Sequence, residues 1–192
     1  MEENQIISKN EQERRERLRN SRARKIKRLA IWIAVLAVIG AGIYGMVKWS
    51  SKQSAGKPGV AIPELGRDHI AAGAQHDPYN SNPPTSGPHY AQAADWGFYE
   101  EPLPDEQLIH NLEHGGIWIS YKKPDDSELE GQLKAISEKY SLKVIITPRA
   151  ENDSPIAAAA WGRLLKLDSF DRDQIEDFIK TFINKGPEQT PY

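Results

Sequence analysis

The nineteen residues 29–47, LAIWIAVLAVIGAGIYGMV, carry no charged side chain. A run of that length matches the ~20 apolar residues that cross a hydrocarbon layer as a helix. Trp32, Tyr44 and Trp49 lie toward its ends, where amphipathic rings favour the interface, and Gly40, Gly42 and Gly45 are ordinary inside a bilayer. The stretch RRERLRNSRARKIKRL precedes it, whereas only Lys48, Lys52 and Lys57 follow closely. The positive-inside rule then places the N-terminus in the cytoplasm and the bulk of the chain outside it. The expected organisation is a basic cytoplasmic tail over 1–28, a transmembrane helix over 29–49, a linker over 50–62, an extracytoplasmic domain over 63–187 and a tail over 188–192. The protein is thus expected in the cell membrane as a single-pass chain, with the lipid bilayer as a partner. A cleaved signal peptide is the competing reading. It fits less well, because the apolar run exceeds a usual h-region of roughly 7–15 residues and no A-x-A site follows.

Charge divides along the same boundary. Residues 1–28 carry a net +5 and residues 29–192 a net −7. The arginine-rich arm beside the apolar run suits membrane topology and anionic lipid, so no nucleic-acid partner is expected. The absence of cysteine excludes disulfides, thiol catalysis, thiolate metal sites and iron–sulfur clusters. No phosphate-cradling glycine loop or dinucleotide fingerprint is present.

Beyond the linker, seven prolines between positions 63 and 104 forbid long regular structure and predict an irregular, turn-rich segment. The pattern then becomes regular. A short helix is expected over 105–114, capped by Asp105 and stopped by Gly115. IWISY at 117–121 reads as a buried strand, and 127–140 as an amphipathic helix facing inward with Leu129, Leu133, Ile136 and Tyr140. Strands are expected over 142–147 and over 156–167, the second broken near Gly162. A last helix over 171–184 is expected to be capped by Asp168. The order β-α-β-β-α predicts an α+β fold, a small mixed sheet covered by helices.

All five histidines, at 69, 76, 89, 110 and 114, fall in one window of forty-six residues, within the irregular segment and the short helix. His110 and His114 share one helix face. That face lies almost opposite the stripe formed by Leu108, Ile109 and Leu112, so their rings are expected to face solvent or a covering segment, for which the irregular segment with His76 and His89 is available. Imidazoles from both regions meeting there suit zinc or copper(II). The expected ligands are His110, His114 and His89 with His76 as a fourth, and Asp77, Glu113 and Asp95 are outer-shell or substitute groups. Metal affinity is expected to fall as pH drops through imidazole titration, because a protonated ring cannot coordinate. The letters HNLEH at 110–114 also fit H-x-x-E-H, in which Glu113 would be the base of a metal-dependent hydrolase. A third reading is a structural or interaction domain of the cell envelope whose histidines bond internally.

With YNSNPPTSGPHY (79–90), Trp96–Tyr99, EEPLPDEQLIHNLEHGGIWISY (100–121) and AAAAWGRLLKLD (157–168), the chain resembles a bacterial family, domain of unknown function 3105. The resemblance spans residues 60–187. It implies a single-pass protein with this domain outside the cytoplasm, and it places His89, His110, Glu113 and His114 in the family's motifs. It implies no established activity. The expected protein is therefore a membrane-anchored metal-binding domain, with no catalysis assigned.

Overall fold

A computed structural model describes residues 32–33, 35–42, 56–122 and 125–188. The chain divides into two compact units, Met1–Ala55 and Gly56–Tyr192. In the first, residues 32–33 and 35–42 are helical (α1) and expose Trp32, Ile33, Leu36 and Val38. Among the described residues no helix is long and apolar enough to cross a membrane. The basic tail over 1–28 and both ends of the expected transmembrane segment lie outside the described residues.

The second unit is an α+β fold around one mixed sheet. Its central strands are β5 (Ile117–Tyr121), β6 (Val144–Pro148), β7 (Ile156–Ala160) and β8 (Arg163–Leu167). β5 runs parallel to β6 and antiparallel to β7, which turns into β8 through Trp161 and Gly162. The break expected near Gly162 is this hairpin turn. Two-residue strands extend the sheet at its ends: β1 (Val60–Ala61) pairs with β8 and β4 (Gly97–Phe98) with β6. β1 falls inside the stretch read as linker. The remaining short strands, β2 (His69–Ile70) and β3 (His89–Tyr90), form a separate parallel ribbon.

Alternation along the central strands sorts side chains onto two buried faces. Ile117, Ile119, Tyr121, Val144, Ile146, Ile156 and Ala158 meet α3 (Ser127–Lys139) and α4 (Arg172–Phe182) through Leu133, Ile136, Ile175, Phe178 and Ile179. The opposite face carries Trp118, Ile145, Ala157 and Ala159 and meets Leu108 and Leu112 of α2 (Asp105–Glu113). Covering both faces explains why these strands read as continuous apolar runs. The small alanines leave room beside the indole of Trp118, whose Nε1 donates to Thr147 Oγ1 at 2.9 Å.

Two expected caps differ. Asp105 is the first residue of α2 and makes no side-chain cap. Its carboxylate instead receives Arg149 Nε and a terminal guanidinium nitrogen at 2.8 Å each. The same guanidinium reaches Asn82 and Asn152 and lies over Trp118, so one arginine ties the irregular segment, the start of α2 and the end of β6 together. At α4 the cap is Asp171, whose carboxylate accepts from Gln174 N at 3.0 Å. Asp168 lies three residues too early to reach the free amides of that first turn.

Helices α3 and α4 are joined by a polar clasp. Glu176 accepts Lys139 Nζ at 2.7 Å, Lys180 Nζ at 3.1 Å and Tyr140 Oη at 3.3 Å. The Lys139 bond, and then that of Lys180, hold its carboxyl down to about 2. A carboxylate depressed in the fold stabilises it above the unfolded value of about 4.3 and loses that contribution as pH falls toward the folded one. Glu176→Gln is therefore expected to lower stability at pH 7 and to converge on the native protein between about pH 4.3 and 2. Urea unfolding across that range measures it, and a gap as wide at pH 2.5 as at pH 7 would refute the clasp.

Candidate metal centre

The ribbon lies along the outer flank of α2, as β3 packs on that helix. Its backbone is a zipper: Leu65 N donates to Ser86 Oγ at 3.0 Å, Gly87 N to the Gly66 carbonyl at 3.2 Å and His89 N to the Asp68 carbonyl at 3.0 Å. The proline-stiffened turn before β3 sits on the β7–β8 hairpin, where Gly162 N donates to the Thr85 carbonyl. Gly87 adopts a φ of +119°, and a Cβ there would press on the Tyr79 ring. In parallel register His69 stands beside His89, so both rings project from the same side of the ribbon.

That side faces the last turn of α2, which supplies His110 and Glu113. They are three apart and therefore neighbours on the helix surface. One nitrogen each from His69, His89 and His110 and one Glu113 oxygen all lie within 4.8 Å of one another. His89 is fully buried, Glu113 and His110 nearly so, while His69 is exposed.

Backbone carbonyls aim two of the rings. His89 Nδ1 donates to the Gly87 carbonyl and His110 Nδ1 to the Tyr90 carbonyl, each at 2.8 Å. A carbonyl can only accept, so in the neutral rings the hydrogen sits on Nδ1 and Nε2 of each ring is left with its lone pair. This is the orientation that outer partners impose on metal-ligating histidines. His89 Nε2 lies 3.0 Å from Glu113 Oε2. In a neutral ring that sets acceptor against acceptor, and a proton or a metal ion between them is required. His69 Nε2 stands 3.6 Å from the same oxygen. Burial is the main effect lowering the His110 pKa, against the opposing Tyr90 carbonyl, and so favours the neutral ring. The carbonyl end of α2 adds a partial negative charge that favours a cation.

His114 sits behind His110, its Nε2 2.7 Å from that of His110. Since His110 Nε2 must accept, His114 donates, and its own buried Nδ1 finds no partner among the described residues. His114 is not part of the four-residue cluster. His76 stands apart as well. Its Nδ1 donates to the Asp77 carbonyl at 2.8 Å and its Nε2 meets Glu106 at 3.2 Å. These bonds raise its pKa, the carbonyl first and then the carboxylate, and a ring held toward its cationic form is a poor ligand. Asp77 and Asp95 are exposed, and their carbonyls, not their carboxylates, take the bonds from His76 and Tyr99. Glu113, expected as an outer-shell or substitute ligand or as a base, lies within the four-residue cluster. The i,i+3 spacing from His110 signalled that neighbourhood. His69 was not singled out, because nothing in local spacing marks it; register with His89 alone brings it in.

The end of α2 is clamped from behind. Asn184 N donates to the Gly115 carbonyl at 2.8 Å and Glu188 N to the Glu113 carbonyl at 3.1 Å. A Cβ on Gly186 would run into the Glu113 carbonyl.

The family model described as "Protein of unknown function (DUF3105)" matches residues 70–191. The chain belongs to the DUF3105 family. The match contains His89, His110, Glu113 and His114, while His69 lies one residue before it. No curated protein and no solved structure matches the chain.

The helix that carries the cluster is locked to its cover by Asn111, which is fully buried. Its Oδ1 accepts from Ala94 N at 2.9 Å and its Nδ2 donates to the Ala94 carbonyl at 2.8 Å. Asn111→Ala strands both buried backbone groups and is expected to destabilise the fold by about 2–4 kcal/mol. Thermal and urea unfolding measure this, and a loss below about 0.5 kcal/mol would show the lock to be dispensable.

Proposed function

We propose that this protein binds one divalent metal ion, zinc or copper(II), through His69, His89, His110 and Glu113. The observation that carries the reading is the convergence of one nitrogen from each of three imidazoles and one Glu113 oxygen within 4.8 Å, with His89 Nε2 opposed to the buried carboxylate at 3.0 Å. Three imidazoles and one carboxylate are a donor set that both ions accept. An ion that takes the His110 lone pair displaces the bond from His114, which leaves that ring as the reserve ligand nearest the centre.

We also propose that residues 29–49 anchor the chain in the cell membrane, with the metal-binding domain extracytoplasmic. The uncharged run, its basic flank and the outward-facing residues of α1 support this reading.

The test is metal analysis and thermal unfolding of the full-length chain, stripped with a chelator and then reloaded. One equivalent of metal is expected. At a free concentration of a hundred times Kd, binding stabilises the fold by about 2.7 kcal/mol, a rise of about 10 °C in Tm. His69→Ala, at an exposed position, is expected to weaken binding at least about tenfold with little effect on the stripped protein, while His76→Ala leaves affinity unchanged. Neither stoichiometric metal nor a change in Tm would leave a domain whose histidines serve structure alone.

A further inference from the structure

Access to the candidate centre is one-sided. The side chains of His89 and Glu113 are 0% and 4% exposed, whereas His69 is 47% and Arg67 is 55% exposed. Of the four clustered residues only His69 is exposed, and the exposed Arg67 also faces Glu113. These two residues are two apart on a backbone held extended by its bonds to Gly87 and His89, so their side chains leave on the same side. Arg67 Nε stands 4.0 Å from Glu113 Oε1, beyond hydrogen-bond distance, and among the described residues its guanidinium has no nearer carboxylate.

The charges at this opening do not balance. A divalent ion held by one carboxylate and three neutral imidazoles keeps a net single positive charge, and Arg67 adds a second. A guanidinium offers several donors in a planar fork shaped for two oxygens of one anion. A water-poor cluster with an exposed fork beside it favours a ligand that places one oxygen on the metal and another on the arginine.

We propose that the centre takes an oxyanion, a phosphoryl or carboxylate group, as an exogenous ligand of the metal held by Arg67. This rests on the metal-binding reading and adds the class of molecule that the loaded site recognises. His69 lines the entry, and Glu113 joins the two cations by facing His89 with Oε2 and Arg67 with Oε1.

Cobalt(II) provides a visible spectroscopic probe of the full-length chain. The loaded protein is titrated with inorganic phosphate and, separately, with acetate, with chloride at matched ionic strength as the control. A saturable change in the cobalt bands with phosphate or acetate, and none with chloride, is the expected result, and the responding anion distinguishes a phosphoryl from a carboxylate ligand. Arg67→Gln is expected to bind cobalt as the native chain does and to weaken the anion at least about tenfold. Arg67→Lys, which keeps the charge but not the fork, is expected to fall between them. The inference is overturned if cobalt binds and neither anion changes its bands, if chloride acts equally, or if Arg67→Gln titrates like the native chain. It is also overturned if Arg67→Gln loses cobalt while Arg67→Lys keeps it, since Arg67 would then serve only to hold Glu113. Failure of the native chain to bind cobalt overturns the metal-binding reading and this inference together; an anion-blind cobalt site overturns this inference alone.

Discussion

Two backbone carbonyls, those of Gly87 and Tyr90, decide what the histidine cluster can do. An imidazole has two nitrogens and, when neutral, one hydrogen. By engaging Nδ1 of His89 and of His110, the carbonyls assign that hydrogen and leave both Nε2 atoms as acceptors, that of His89 facing Glu113 and that of His110 facing His114. Without them the rings would choose their own tautomers, and burial would favour whichever bonded locally. With them, a fully buried ring faces a buried carboxylate and requires a positive charge between the two. A metal ion can supply that charge, and the four-residue cluster could hold one.

Holding those carbonyls in place requires most of the second unit. The ribbon alone is two residues wide in each strand, too little to persist in water. It is pinned at the turn by the β7–β8 hairpin and at its flank by α2, which the sheet buries through Leu108 and Leu112. Arg149 fixes the start of that helix through Asp105, Asn111 fixes its middle through Ala94, and the segment after α4 fixes its end through Glu113 and Gly115. A helix restrained at three places presents the spacing between His110 and Glu113 as a rigid distance. Such rigidity lets a site distinguish ions by geometry.

Much of this was legible beforehand. Leu129, Leu133, Ile136 and Tyr140 marked α3, IWISY marked a buried strand, residues 142–147 marked another strand, and Gly115 marked the end of α2. These signals are local: period, cap and turn chemistry act within a few residues and survive in any context. The histidine pair at 110 and 114 was equally plain, as was its position opposite the apolar stripe. Local spacing could not show that His110 Nε2 would accept from its own neighbour, nor that Glu113 would turn inward, because both depend on what covers the helix.

Loop histidines show the boundary most clearly. His69 and His76 lie in the same irregular stretch and are equivalent by composition and periodicity. His76 meets Glu106 and the Asp77 carbonyl, while His69 is carried to the cluster by its parallel register with His89. The chain by itself determined the α+β elements, the apolar run near the N-terminus, the absence of thiol chemistry and a gathering of imidazoles in one window. Tertiary structure alone decided which imidazoles share a centre. Register between strands twenty residues apart, and the choice of carbonyl for each ring nitrogen, arise from packing among distant segments, and no short-range pattern encodes them.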